Sequence, residues 1–378
     1  MSFTLILFLD PVGQIGTLTH YPTIKNAHFE PTTITEGMTV YGGYTFTQKC
    51  LTNLNLKKIK PRHSEALLDE ELPFRNESEL SYLKLLESVL TTGNHRNDRT
   101  GTGTISKFAT QLRYPLENGT LPLLTTKTVP FRLVYSELLW FLKGSTNIDY
   151  LLEHNNHIWD GNSTREFLDK QGLVDYREGE LGPCYGHQWM NFGGEYIKEK
   201  DRFKVVHKNG KKYVKVRKCK KGVNQIEKVI ESIKNNPTSR RHVVSAWNPS
   251  QLSEIALPPC HLLFMFYVEG DSLSCHLIMR SNDMFLGHPF NVASYATLTH
   301  MIAHLTGLHA KELVITMNDC HIYKNHVDQV KTQLKRHPLQ YPKLVFNRDH
   351  TSISEFDMNS FTVDGYSSWP RISAPMAC

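Results

Sequence analysis

Cys260 stands directly after Leu257-Pro258-Pro259 and just before an apolar run that begins at Leu262. The prolines fix the backbone and end any regular element before them, so the thiol is expected at a strand entrance in a set geometry. Taken alone, such a cysteine is more often a small core residue than a nucleophile. Neighbouring segments add chemistry. Arg280-Ser281-Asn282-Asp283 closes the next apolar run, and Gly287-His288-Pro289-Phe290-Asn291 follows shortly after. A guanidinium close to a thiol favours the thiolate, the nucleophilic form, and the same fork suits a phosphate. An asparagine amide carries an acceptor beside its donors, the pattern that pairs with the O4/N3–H edge of a pyrimidine. Glu137 lies beside a helical apolar stripe, where a carboxylate must be paired, protonated or functional.

These groups need elements to position them. Leu80, Leu83, Leu86 and Leu90 recur at helical spacing from about Glu79 to Thr92, with Ser78 as the expected N-cap and Gly93 as the stop. Arg99-Thr-Gly-Thr-Gly-Thr104 reads as a loop into a strand ending near Arg113. A second helix, about Phe131 to Leu142, places Val134, Leu138 and Phe141 on one stripe. Strands are expected at about Leu262 to Val268 and Leu273 to Met279, flanking Glu269-Gly-Asp271 as a hairpin. Helices are expected over 223–234, 293–306 and 323–335, and a strand over 313–317. Runs of both kinds without an internal repeat indicate an α+β fold.

Hydrophobic content of 40% and charged content of 21% over 378 residues suit a folded chain with a sizeable core. Phe3 to Leu9 is too short to span a bilayer and lacks the flanks of a signal peptide, so a reducing, cytoplasmic setting and no membrane are expected. Seven cysteines, at 50, 184, 219, 260, 275, 320 and 378, include no CxxC pair, which argues against disulfides and a metal. Charge is uneven. Residues 198–221 hold twelve Lys or Arg against Glu199 and Asp201, a local +10, and the whole chain is +6, which leaves −4 elsewhere. Lys208-Asn209-Gly210-Lys211 within that stretch signals a two-residue hairpin turn.

From about Glu79 onward the chain resembles the thymidylate synthase family, in a version close to the synthase half of fused reductase-synthase enzymes. The resemblance rests on segments in family order: Asp98-Arg99-Thr-Gly-Thr-Gly-Thr, Glu137-Leu-Leu-Trp-Phe-Leu, Ile158-Trp159-Asp-Gly-Asn, Leu181-Gly-Pro-Cys-Tyr185-Gly, Ser239-Arg240-Arg241, Ser245-Ala-Trp-Asn, the Cys260 segment, Pro289-Phe-Asn291-Val-Ala-Ser-Tyr, and His321-Ile-Tyr323. It implies a large mixed β-sheet with flanking helices and a homodimer formed through the sheet. The reaction implied is methylation of dUMP by 5,10-methylenetetrahydrofolate, through a Cys260 adduct and without a metal. Arg99, Arg280 and Ser281 would hold the dUMP phosphate, with Arg240 and Arg241 reaching in from the partner subunit. His321 and Tyr323 would bind the deoxyribose, and Asn291 would select uracil. Glu137 would relay protons through water, Tyr185 would help remove the C5 proton, and His261 would support the network. Trp159, Asp283, Leu286 and Phe290 would surround the folate, Lys127 would meet its glutamate tail, and Ala377 and Cys378 would close the site.

The sequence departs from the family pattern at Met190, where Arg is usual, at Asn318, where Gly is usual, and at the terminal Cys378. The basic stretch at about 198–221 is an insertion, read first as a solvated hairpin and second as a weak contact for nucleic acid or another polyanion. Residues 1–50 form a small β-rich piece, and 51–73 read as a linker before a synthase domain over 74–378. Leu5 to Gly16 and Gly37 to Phe46 resemble the opening strands of dihydrofolate reductase, but Lys25 stands where that family has its acidic catalytic residue. A shortened, inactive remnant is expected. Two other functions compete: a dUMP hydroxymethylase on the same fold, with water replacing hydride, and a nucleic-acid-binding regulatory protein using the basic insertion.

Overall fold

The structure, a computed structural model, describes residues 76–98, 100–208, 211–216 and 219–376, with backbone alone for 39–41, 44–46, 202–208 and 211–216. The chain divides into two units at Leu72/Pro73. In the first, β1 (Thr39–Tyr41) and β2 (Tyr44–Phe46) pair antiparallel. The remaining expectations for residues 1–75 lie outside the described residues.

Helix α1 (Glu77–Thr92) starts two residues earlier than expected: Asn76, not Ser78, is the cap and accepts the Glu79 N–H at 3.1 Å. Its buried stripe is Glu79, Tyr82, Leu83, Leu86 and Val89, so Leu80 and Leu90 sit at the margin rather than the centre. Rotation of the stripe follows from Glu79. Its carboxylate accepts from the backbone N–H groups of Thr125 and Thr126 at 2.9 and 2.7 Å and from both hydroxyls at 2.7 and 2.8 Å. These donors offset its burial in part, and the carboxyl stays raised above its ordinary value. Glu79 thereby ties α1 to the segment carrying Lys127.

A six-stranded mixed sheet in the order β3-β4-β10-β9-β8-β7 forms the centre of the second unit. Its strands are β3 (Asn94–Arg96), β4 (Thr104–Pro115), β7 (Val243–Ser245), β8 (His261–Glu269), β9 (Ser272–Asp283) and β10 (His309–Tyr323). Every neighbouring pair is antiparallel except β9 and β10, which run parallel. Helix α5 (Gly287–Thr306) makes the crossover between those two and packs on both. Helices α2 (Phe131–Leu142), α3 (Tyr185–Asn191) and α4 (Gln225–Asn235) complete the layer. The expected stripe of α2, Val134, Leu138 and Phe141, is buried.

Several elements exceed or shift from their expected bounds. Strand β9 continues through Arg280 to Asp283, and β10 runs 15 residues rather than the expected five. Polar residues occupy the site ends of both strands, so the apolar pattern stops before the pairing does. Helix α5 starts six residues before Ala293, with Pro289 in its first turn, where a missing N–H costs no bond. Tyr323 ends β10; the last helix, α6 (Val327–Gln333), follows a single 3-10 turn.

One sheet face is packed: Phe264, Phe266, Leu273, Cys275, Leu277 and Met279 are buried. The alternate residues Leu263, Met265 and Ile278 stay half-exposed, Tyr267 is 67% exposed and Phe108 on β4 80%. In the basic stretch, β5 (Phe203–Lys208) and β6 (Lys211–Val216) pair antiparallel with Lys208 opposite Lys211. The pairing is that of a hairpin with a two-residue connection; Asn209 and Gly210 lie outside the described residues. Among those described, no helix is long and apolar enough to cross a membrane.

Candidate active site

Cys260 occupies the step from Pro259 into β8, and Arg280 lies beside it on the antiparallel strand β9. The Arg280 N–H donates to the Cys260 carbonyl at 2.9 Å. From there the guanidinium folds back: Nε donates to the Pro259 carbonyl at 2.8 Å, and Nη2 to the Pro258 carbonyl at 2.7 Å and to Cys260 Sγ at 3.7 Å. The two prolines therefore do more than end an element. Their carbonyls clamp a permanent positive charge against the sulfur, an arrangement that favours the thiolate form of a cysteine. Trp247 lies 5.9 Å beneath the same guanidinium. Cys184, Cys275 and Cys320 differ: each is buried, and desolvation pushes their thiols up to about 12, 12 and 11. Those three remain inert thiols.

On the helical side, Tyr185 opens α3 and its hydroxyl accepts the Cys260 backbone N–H at 2.7 Å. Burial raises this phenol far above its ordinary range, so it stays protonated and retains a proton to donate. Its ring stacks on His261 at 4.3 Å. His261 is buried, and desolvation together with the Arg280 charge lowers it to about 3, which makes it a neutral imidazole. Nε2 meets Asn291 Nδ2 at 3.2 Å and Nδ1 meets the Tyr295 hydroxyl at 3.2 Å. Since an amide nitrogen only donates, Nε2 is the acceptor and Nδ1 carries the hydrogen.

Glu137 projects from α2 toward the same cluster and accepts from Trp159 Nε1 at 2.7 Å. Burial pushes its carboxyl up to about 7, and the indole bond partly opposes this. The environment holds Glu137 near neutrality, the range in which a carboxyl can exchange a proton. Because the indole N–H stabilises the charged form, Trp159→Phe is expected to raise the carboxyl further and move the alkaline limb of the kcat–pH profile upward. A limb that stays put or moves down contradicts this arrangement.

Other expected residues are placed unevenly. Ser281 and Asp283 lie on β9 opposite Asp319 and His321 of β10. His321 is buried, takes Asp319 through Nδ1 at 3.1 Å, and meets Tyr323 edge-on at 5.0 Å. Asp283 Oδ1 accepts the backbone N–H groups of Phe285 and Leu286 at 2.9 and 3.3 Å, holding the turn that brings Leu286 and Phe290 to the start of α5. Lys127 is buried: its ammonium donates to the Phe285 carbonyl, lies 3.6 Å over the Phe285 ring, and is lowered to about 7 by desolvation. Arg240 and Arg241 occupy an exposed turn before β7. Arg99, Ala377 and Cys378 lie outside the described residues. The chain just before Ala377 is docked, with His326 bonded to the Pro375 carbonyl at 2.7 Å and the Trp369 N–H to that of Thr125 at 2.7 Å.

Tyr295, Trp247, Asn282 and His288 complete the cluster without having been singled out for it. Tyr295 was findable, since it follows Asn291 by four residues and shares its helix face. Asn282 and His288 stood inside noted segments but gave no signal of their own.

The arrangement sets a thiol against a guanidinium, with a buried carboxyl and a hydrogen-bonded amide nearby. The chain belongs to the thymidylate synthase family, whose model, described as thymidylate synthase, matches residues 80–378. It is 47% identical to a probable thymidylate synthase of Schizosaccharomyces pombe over 80% of this chain and 48% of that protein. It is also 47% identical to a bifunctional dihydrofolate reductase-thymidylate synthase of Leishmania major, over 80% of this chain and 56% of that protein. A human thymidylate synthase is 46% identical over 79% of this chain and 90% of that protein. The chain thus spans about half the length of the first two relatives and most of the third.

Proposed function

We propose that the chain converts dUMP to dTMP, with 5,10-methylenetetrahydrofolate supplying the one-carbon unit and the hydride. The observation that carries this is the Arg280 guanidinium held 3.7 Å from Cys260 Sγ, with the Asn291 amide fixed through His261 next to Cys260. Cys260 adds to C6 of the uracil, and C5 becomes nucleophilic enough to attack the folate-borne carbon. Asn291 and water held by Glu137 stabilise the charge developing at O4. Tyr185 assists loss of the C5 proton. Arg99, Arg280 and Ser281 hold the phosphate, His321 and Tyr323 the deoxyribose. Trp159, Asp283, Leu286, Phe290 and the residues up to Ala377 and Cys378 enclose the folate and exclude water.

Lys127 meets the glutamate tail of the folate. Its buried ammonium braces the Phe285 carbonyl beside the folate wall. The half-exposed apolar face of the sheet, with Phe108 and Tyr267, supports a homodimer through that face, which would place Arg240 and Arg241 against a partner's phosphate site. In the insertion, Lys198 and Lys200 pair with Asp175 at 3.3 and 2.7 Å, which favours a solvated hairpin over a polyanion contact.

Mass analysis of the product formed from dUMP and methylenetetrahydrofolate tests the reaction. Thymidylate is expected; 5-hydroxymethyl-dUMP would assign the chain to hydroxymethylation, and no product would return it to a binding role.

A further inference from the structure

We infer that Asn282, with its orientation fixed by Met279, is the positioning residue that sets which way the Asn291 amide faces and hence whether the site reads uracil or cytosine. The inference rests on Asn291 as the base-reading group. Six side chains form one hydrogen-bonded line. The Tyr114 hydroxyl lies 2.7 Å from His288 Nε2, and His288 Nδ1 lies 3.1 Å from Asn282 Oδ1. Asn282 Nδ2 donates to Asn291 Oδ1 at 3.2 Å, and Asn291 Nδ2 continues to His261 and Tyr295. Asn282 and His288 are 1% and 0% exposed, and Tyr82 of α1 stacks on the His288 ring at 5.5 Å, so that stretch of the line has no solvent to repair a mismatch.

Such a line is self-consistent in two polarities. If both amides turned over and both imidazoles changed tautomer, every donor would still meet an acceptor. One contact breaks the degeneracy. Asn282 Nδ2 lies 2.7 Å from the Met279 sulfur, and a thioether has no hydrogen to give. Only the amide nitrogen is satisfied there. Asn282 is thereby fixed, its Nδ2 faces Asn291 Oδ1, and the rest of the line follows.

The consequence is read at Asn291. Its two bonds within the line use one Oδ1 lone pair and one Nδ2 hydrogen. One acceptor site and one donor site remain: the lone pair on the Asn282 side and the N–H on the His261 side. Uracil offers N3–H and the O4 acceptor, matching that order; cytosine offers N3 as acceptor and a 4-amino donor, matching the reverse.

Two variants test this, with dCMP as competitor against dUMP turnover. Asn282→Asp removes the N–H facing Asn291 and supplies an acceptor, which turns the Asn291 amide over. Selectivity for dUMP over dCMP should fall by about 10²-fold or more, with dCMP binding tighter than in the parent. Met279→Leu removes only the sulfur acceptor at nearly constant volume. It should retain dUMP turnover within a few-fold while selectivity falls about tenfold. Met279→Leu also decides the matter where the aspartate variant does not fold. Selectivity unchanged in Met279→Leu overturns the inference, whereas a parent enzyme that does not use dUMP overturns the proposed function and this inference with it.

Discussion

Cys260→Ala is expected to lower kcat by at least about 10³-fold while leaving the fold intact. The two halves of that expectation have separate causes. Three of the described thiols offer no substitute: Cys184, Cys275 and Cys320 are buried and pushed toward the neutral form. Two neighbouring groups keep their partners when the side chain is lost. Arg280 keeps both proline carbonyls, and the backbone N–H of residue 260 keeps the Tyr185 hydroxyl. The change in stability should stay within about 1 kcal/mol, because the residue is only partly buried and borders no unpaired charge. Single-turnover kinetics and a denaturant titration on the same preparation measure the two halves. A variant that retains a tenth of the activity would remove Cys260 from the chemistry.

Glu137→Gln should reduce kcat by about 10²- to 10⁴-fold, the usual contribution of a positioned proton-transfer group. Trp159 can still bond to the amide oxygen, so binding of the folate should be less affected than turnover. The stability effect has the opposite sign. An ordinary carboxyl near 4.5 is pushed up to about 7 in the folded chain. The proton-linked stability is therefore complete below about 4.5 and is lost as pH rises through 7. Glutamine does not titrate. At pH 8 the variant should be the more stable protein, by roughly 1–2 kcal/mol once the partial accessibility of residue 137 is allowed for, and near pH 4.5 the advantage should vanish. Denaturant melts at the two pH values distinguish this from a role for Glu137 in ion pairing, which would make the variant less stable at high pH.

Helical stripes were the most legible feature: Val134, Leu138 and Phe141 could be placed on a buried face from their spacing alone. The strands were legible only up to the site. Apolar alternation in β9 stops at Met279, although the pairing continues through Arg280, Ser281, Asn282 and Asp283. Those four residues are polar and break the apolar pattern, yet the sheet backbone holds them in the strand regardless. Glu79 escaped notice for a related reason. Four of its donors come from Thr125 and Thr126, 46 and 47 residues along the chain, and nothing local announces those four. Within the site, Cys260, Arg280 and Asn291 were recognisable by type and motif. The polarity of the Asn282 amide was not, because it depends on a sulfur three residues away.

Covalent capture tests the central claim most directly. The chain incubated with 5-fluoro-dUMP and methylenetetrahydrofolate, digested and weighed, should carry one equivalent of the inhibitor on the peptide containing Cys260 and none in Cys260→Ala. An unmodified chain, or an adduct on any other cysteine, would contradict the assignment of Cys260 as the nucleophile.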